Sequence, residues 1–455
     1  MTTKGLFSAT IHMMHRLFYL LTGFLLLAKA ANCQSRPDSF AQVIANFAIE
    51  YRALDISRVG YDYREYLREI PATAEIEKRE AFFKKYETLI SRQDESALSA
   101  AEKTSLVHLR YQIGLHLERC ALEKKLRATG GVGIPEDGLS KVPDGKSLYR
   151  FLIRYATGVD ITPDEVYRYG LSEIERIHEE INKIQARAGF AGDSAGWANH
   201  LNDPRFFITE RDSVVAGYEQ LKTRVLSRLG AMYEQAPEAV PDIDFMTWPN
   251  AGPYTPPGMY LSADDNAYGK AVFQFNFYGN RHNRRAMDWL FLHEAIPGHH
   301  FHRFVREHVA HDALNGLWFA GATVEGWATY VEYFGEEMGL YRDDMAWLGK
   351  WEWDLVRSVR IVISAGIHDR GWTKAEALAF WKANIPNQDE IADREITRCT
   401  HWPAQVLTYK IGAKKIFELR ESVARREGDK FDLKKFHTRF LSAGYLPLEV
   451  MARAL

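Results

Sequence analysis

The stretch LFLHEAIPGHHFH, residues 290–302, places four histidines and one glutamate within thirteen positions. Leu290, Phe291, Leu292, Ile296 and Phe301 surround them with apolar side chains. A solvent-facing helix has no reason to carry that density of imidazole inside an apolar run. Neutral imidazole is the commonest protein ligand for metals. His293, His299 and His300 are therefore candidate ligands, and Glu294 is a candidate general base.

A His-Glu pair followed by further histidines is related to the zinc-protease helix, in which two histidines bind the ion and the glutamate activates water. The spacing departs from that pattern. In an unbroken helix the residue four positions on shares a face with the first. Counted from His293 that position is Pro297, while His299 and His300 stand six and seven residues on. Only the seventh returns to the starting face. Proline removes a backbone donor and clashes with the preceding turn, and Gly298 follows it, so an interruption is expected here. A bulge would bring His299 round instead. Spacing alone leaves His299 and His300 open. The bland alternative is a helix boundary with incidental histidines.

Zinc requires a third protein ligand and an open position for water. Glu325, in VEGWATY at 324–330, is the candidate, 32 residues beyond His293. A helix, a short connection and a returning helix would bring it alongside. Gly326 and Ala328 are small enough for a neighbouring backbone to approach closely. Taken alone, Glu325 would be an exposed helix residue, and Glu332, Glu336 and Glu337 read that way.

HEAIPGHH and VEGWATYVE together resemble the bacterial domain-of-unknown-function family 885. The resemblance continues through GIH (366–368), GWTKAEA (371–377), EITR (395–398), PAQ (403–405), YKIG (409–412) and FDLKKFHTRFLSAGYLPL (431–448). It spans roughly 40–455 and is most specific over 258–450. Family members are similar to zinc metallopeptidases of the gluzincin type. The resemblance implies one zinc ion on His293, His299 and Glu325, with Glu294 as catalytic base, and it favours His299 over His300. It also implies a helical body split by a deep substrate channel. Cys399-Thr400 departs from the family, which has an aromatic there.

The whole chain has 455 residues, 46% hydrophobic and 26% charged, enough for a sizeable core. A net charge of −2 argues against a nucleic-acid surface. Residues 1–33 read as an export signal and short linker. Lys4, His15 and Arg16 precede an apolar run at 17–27, and Ala28-Lys29-Ala30 offers a cleavage site. The run is too short for a comfortable membrane span. Met13 or Met14 is an alternative start. Lipid attachment at Cys33 ranks second, because Asn32 before it fits poorly. The expected location is thus periplasmic or secreted. Cys120 and Cys399 are too far apart in sequence to define a disulfide framework.

Residues 34–455 read as a single, mainly α, many-helix domain, with 34–145 a possible helical N-terminal subdomain. Leu106, Leu109, Ile113, Leu117 and Cys120 recur at helical spacing, with His108 and His116 as ordinary helix residues among them. The stretch 129–145 holds five Gly and two Pro, a loop. Thr162-Pro163-Asp164-Glu165 and Thr373 with Glu376 are helix starts. Residues 271–277, AVFQFNF, alternate as a strand does. The resemblance favours a small sheet beside the metal helix, with this strand, Phe275 included, holding extended substrate along its edge.

Tyr409 and His368 are candidate donors to an oxyanion opposite the metal. Arg360 and Arg398 are candidate clamps for a substrate carboxylate, or equally buried ion-pair partners. His302, His401 and His437 read as structural. The expected function is an exported zinc-dependent hydrolase, a peptidase acting on a peptide or small amide. Two other readings use the same residues: a secreted binding protein on a degenerate peptidase fold, and a metal-dependent hydrolase or lyase of a non-peptide substrate.

Overall fold

The computed structural model describes residues 39–128, 135–386 and 388–455. The chain is mainly helical, with two small sheets. The export signal and Cys33 lie outside the described residues, as do 129–134 of the expected loop. Among the described residues no helix is long and apolar enough to cross a membrane.

The principal helices are α1 (Phe40–Ala53), α2 (Thr73–Ser91), α3 (Ala100–Ala128), α4 (Gly145–Thr157), α5 (Pro163–Arg187), α6 (Arg211–Leu226), α7 (Met287–Glu294), α8 (His299–Glu307), α9 (Gly321–Val331), α10 (Asp344–Ala365), α11 (Lys374–Asn384), α12 (Asp389–His401), α13 (Thr408–Glu427) and α14 (Leu433–Ser442). Local chemistry sets several of their ends. Thr162 and Thr373 each accept from the backbone three residues on, while Glu165 and Glu376 reach back to the cap. These reciprocal bonds satisfy donors that a helix start leaves orphaned.

The first three helices share an apolar cluster built on Phe47, Phe83, Tyr86, Leu109 and Ile113. Trp318, from the segment after α8, joins it and donates its Nε1–H to the Tyr51 hydroxyl at 2.9 Å. His116 stacks on Phe83 at 4.7 Å between ring centroids, and burial pushes its pKa down to about 3. Burial likewise holds His108 down at about 4. Both are core residues, as expected. Cys120 and Cys399 are each buried and unpaired.

The three-stranded sheet is β1 (Asp244–Thr247), β2 (Gly258–Leu261) and β3 (Val272–Phe275), in the order β1-β3-β2. β1 runs parallel to β3, and β2 antiparallel to it. The expected strand at 271–277 is present, but it is the central one, so its backbone groups are taken on both sides. The edge beside the metal helix is β2. Phe275 is fully buried against Tyr218 and His282. It is a core residue and does not reach substrate, because its aromatic ring is what the sheet buries.

α10 is the buried axis of the body. Close approach fixes α9 against α13: a Cβ on Gly326 would lie 2.5 Å from the Gly412 Cα. Charge is buried here as well. Asp354 accepts from Lys350 Nζ and Lys410 Nζ, both at 2.9 Å, and from the Tyr333 hydroxyl at 2.6 Å. Lys410 also reaches Glu173 of α5 at 2.6 Å. The network ties α10, α13 and α5 together. Removing one partner of a buried ion pair strands the other, which costs about 3–5 kcal/mol. Asp354→Ala is expected to destabilise the protein by that amount, read as a lowered urea midpoint.

Candidate metal centre

Helix α7 ends at Glu294, where Ala295 leaves helical geometry at φ −103°, ψ −102°. Four residues later α8 begins at His299. The expected bulge is therefore a complete break between two helices. Gly298 makes it possible. A Cβ there would sit 1.9 Å from the His293 carbonyl oxygen and 2.3 Å from that of Leu292. Only a residue without a side chain lets the chain fold back so tightly. Trp327 of α9 pins the turn, donating Nε1–H to the Pro297 carbonyl at 2.8 Å.

The break decides between the two histidines. It brings the His293 and His299 rings to 4.8 Å, nearly perpendicular at 83°. His300 points elsewhere, its Nε2 bonded to the Pro241 carbonyl at 2.8 Å. Glu325, on α9, completes a trio whose ligand atoms all lie within 4.8 Å of one another. Its Oε2 is 3.5 Å from His293 Nε2 and 3.5 Å from His299 Nε2. Ligands at zinc distances of about 2.0–2.2 Å in a tetrahedron stand about 3.3–3.6 Å apart. The Glu325 oxygen is also buried with no hydrogen-bond partner. Spacing, donor chemistry and that unspent oxygen all fit a divalent cation.

The electrostatics agree. Burial disfavours charge on His293, yet the carboxylate of Glu325 facing it and the hydrogen bond to Glu332 raise it to about 9. Burial would lift the Glu325 carboxyl too, but the two imidazoles hold it far below the usual range. The pocket is arranged to hold positive charge between these groups.

Glu332 is not the surface residue its sequence context implied. It is fully buried, its Oε1 2.8 Å from His293 Nδ1 and its Oε2 accepting from Arg357 Nη1 at 2.7 Å. With Nδ1–H donated to Glu332, Nε2 is left bare to face a metal, the usual supporting arrangement for a histidine ligand. One signal was present: Glu325 and Glu332 stand seven residues apart, two turns along one helix face. Arg357 carried no such signal.

The trio opens into a cavity of about 480 Å³ whose lining includes Glu294, Tyr409, Arg360, Arg398 and the β2 residues from Gly258 to Leu261. Glu294 Oε2 accepts the Tyr260 backbone N–H at 2.8 Å, so the sheet edge orients it. Tyr409 lies nearly parallel to His293, with ring centroids 6.2 Å apart. Its hydroxyl accepts from Arg398 Nη2 and Gln405 Nε2, each at 3.2 Å. Both lone pairs are thereby engaged, and the O–H proton remains to be donated. His302, expected to be structural, also lines the cavity, with a buried and unpartnered Nε2.

His368 is a correction. Its Nδ1 accepts from Leu139 N–H at 3.0 Å and its Nε2 faces the Cys399 carbonyl at 2.9 Å. Both nitrogens are spent in the core, and it is not a lining residue of the cavity. Arg360 resolves to a buried ion pair with Glu395 at 2.5 Å. Arg398 forms no ion pair with a carboxylate among the described residues and bonds to the Gln405 amide oxygen at 2.7 Å.

A family model described as bacterial protein of unknown function (DUF885) matches residues 121–455. The chain belongs to this family. The DUF885 chain is similar in structure to a candidate lipoprotein from Colwellia psychrerythraea, at 25% identity and a TM-score of 0.64, covering 84% of this chain and 70% of that one. It also resembles a candidate lipoprotein of unknown function from Shewanella oneidensis, at 19% identity and a TM-score of 0.59, over 96% and 91% of the two chains. The second likeness shows the fold alone. No curated protein matches it significantly.

In this DUF885 chain the Gly298 turn is the most demanding backbone contact at the site. Gly298→Ala is expected to cost about 1–3 kcal/mol, the range for forced overpacking. The loss should appear in chemical denaturation and be larger than that of Gly252→Ala, where a Cβ meets open space.

Proposed function

We propose that this chain is a zinc-dependent hydrolase of peptide or closely related amide bonds, similar to gluzincin metallopeptidases. The observation that carries the reading is the convergence of ligand atoms of His293, His299 and Glu325 within 4.8 Å of one another, with Glu325 Oε2 3.5 Å from each imidazole Nε2, in the same cavity as Glu294. A zinc ion held by His293, His299 and Glu325 would supply a bound water with a pKa lowered towards about 7 and a Lewis acid for the scissile carbonyl.

The chain's own groups do the rest. Glu294, held through Oε2 by the Tyr260 N–H, takes a proton from water and returns it to the leaving amine nitrogen. Tyr409 donates its free O–H to the carbonyl oxygen as that oxygen gains charge. Glu332 and Arg357 keep the His293 ring in one orientation and one tautomer. β2, the strand edge beside Glu294, suits the main chain of an extended peptide. The protein is exported on this reading, and the lipoprotein description of its structural neighbour from Colwellia psychrerythraea lends weight to anchoring at Cys33.

Metal analysis of the purified protein tests the site. One zinc per chain is expected, lost in His299→Ala and Glu325→Ala and kept in His300→Ala. No metal in any form, even after zinc is supplied, would sink the reading. Glu294→Gln should keep its zinc and lose about 10²–10⁴-fold in turnover. Survival of full activity would mean that the base is misassigned, and turnover absent from every form would leave a binding protein. Glu332→Ala is expected to weaken zinc affinity about 10–100-fold, measured by competition with a chromogenic chelator.

A further inference from the structure

The cavity beside the trio is lined by four arginines, Arg303, Arg357, Arg360 and Arg398. Three of them are neutralised. Arg303 pairs with Asp264, Asp265 and Glu307, Arg357 with Glu332, and Arg360 with Glu395. Arg398 differs. Its hydrogen bonds run from Nη2 to two neutral oxygens, those of Gln405 and Tyr409, and its Nε is buried without a partner. Among the described residues no carboxylate forms an ion pair with it. A guanidinium stays charged at any physiological pH. Glu395, in contact with Arg360 and Arg394, acts on Arg398 from a distance, and a fixed charge in a partly desolvated cavity with no carboxylate in contact is costly unless a ligand supplies one. The planar fork suits a carboxylate, which it binds through two parallel hydrogen bonds.

The position of Arg398 relative to the trio gives that carboxylate a meaning. The Tyr409 ring lies 6.2 Å from the His293 ring and 5.9 Å from the Arg398 guanidinium carbon. One aromatic ring thus separates the two sites. The His293 ring and the guanidinium carbon are therefore no more than about 12 Å apart. A carbonyl and a carboxylate each seated in contact inside those two ends leave room for one or two residues, an extended residue spanning at most ~3.6 Å. A second cavity, of about 350 Å³, has Gln405 in its lining and shares Phe319 with the first. Val59, Leu152, Ala156 and Pro403 make its lining largely apolar.

We infer that Arg398 anchors the free C-terminal carboxylate of a peptide, so that the enzyme removes one or two residues from that end. This rests on the hydrolase reading above and narrows it. In the reaction water adds across the amide: a C–O bond forms at the carbonyl carbon and the C–N bond breaks. The water proton passes through Glu294 to the departing nitrogen. The products are a shortened peptide acid and an amino acid or dipeptide whose carboxylate was on Arg398.

The test uses N-acetyl-Ala-Ala-Phe and its C-terminal amide, the apolar end chosen for the adjoining cavity. Calorimetry on zinc-loaded Glu294→Gln protein is expected to show the acid binding at least tenfold more tightly than the amide. Adding Arg398→Gln should abolish that difference while zinc stoichiometry holds, and Arg398→Lys should retain part of it. Equal binding of acid and amide, or equal weakening of both by Arg398→Gln, overturns the inference. In turnover, wild-type protein should release Phe or Ala-Phe from the acid and leave the amide nearly untouched. Cleavage of both at one rate would overturn the C-terminal anchor and leave the hydrolase reading standing. Acid-selective binding through Arg398, with no peptide cleaved, would do the reverse.

Discussion

The contact between Gly298 and the carbonyl of His293 is the constraint on which the site depends. It lets two helices meet end to end with almost no connection, so that histidines six positions apart face one another. A regular helix would have presented His300 on the His293 face instead. The turn cannot hold by itself, since its carbonyls need partners. Trp327, from the helix that also carries Glu325, supplies one of them. The same helix therefore clamps the turn and carries Glu325, the third member of the trio, and α9 is in turn held by its close crossing with α13 at Gly326 and Gly412.

Around this turn the protein buries charge in matched sets. Glu332 sits between His293 and Arg357, and Asp354 between Lys350 and Lys410. Buried ions are tolerated only when paired and hydrogen-bonded. Each set also joins helices distant in sequence, and the Glu332 set orients the His293 ring as well. α10 carries Lys350 and Asp354 of one set, Arg357 of the other, and Arg360, which pairs with Glu395.

Much of the site was legible in sequence because its signals are local. The density of imidazole in an apolar run, the proline and glycine that forbid an unbroken helix, and the small residue after Glu325 each act over a few positions. Helix starts at Thr162 and Thr373 were legible for the same reason. Residues whose roles depend on a distant partner were not. Glu332 resembles Glu336 and Glu337 until α10 is placed beside it. His368 carries no mark to show that Leu139 and Cys399 engage both its nitrogens.

The sequence by itself determined the helical class, the break at Pro297-Gly298 and the residue types that converge, because periodicity, backbone freedom and side-chain chemistry are properties of short segments. Only the tertiary structure decided that β2 rather than β3 is the open edge, that Phe275 and His368 belong to the core, and that Arg360 is neutralised while Arg398 is not. Strand order, burial and ion pairing are settled by which distant segments come into contact. Arg360 and Arg398, nearly equivalent as sequence, differ because Glu395 reaches only one of them.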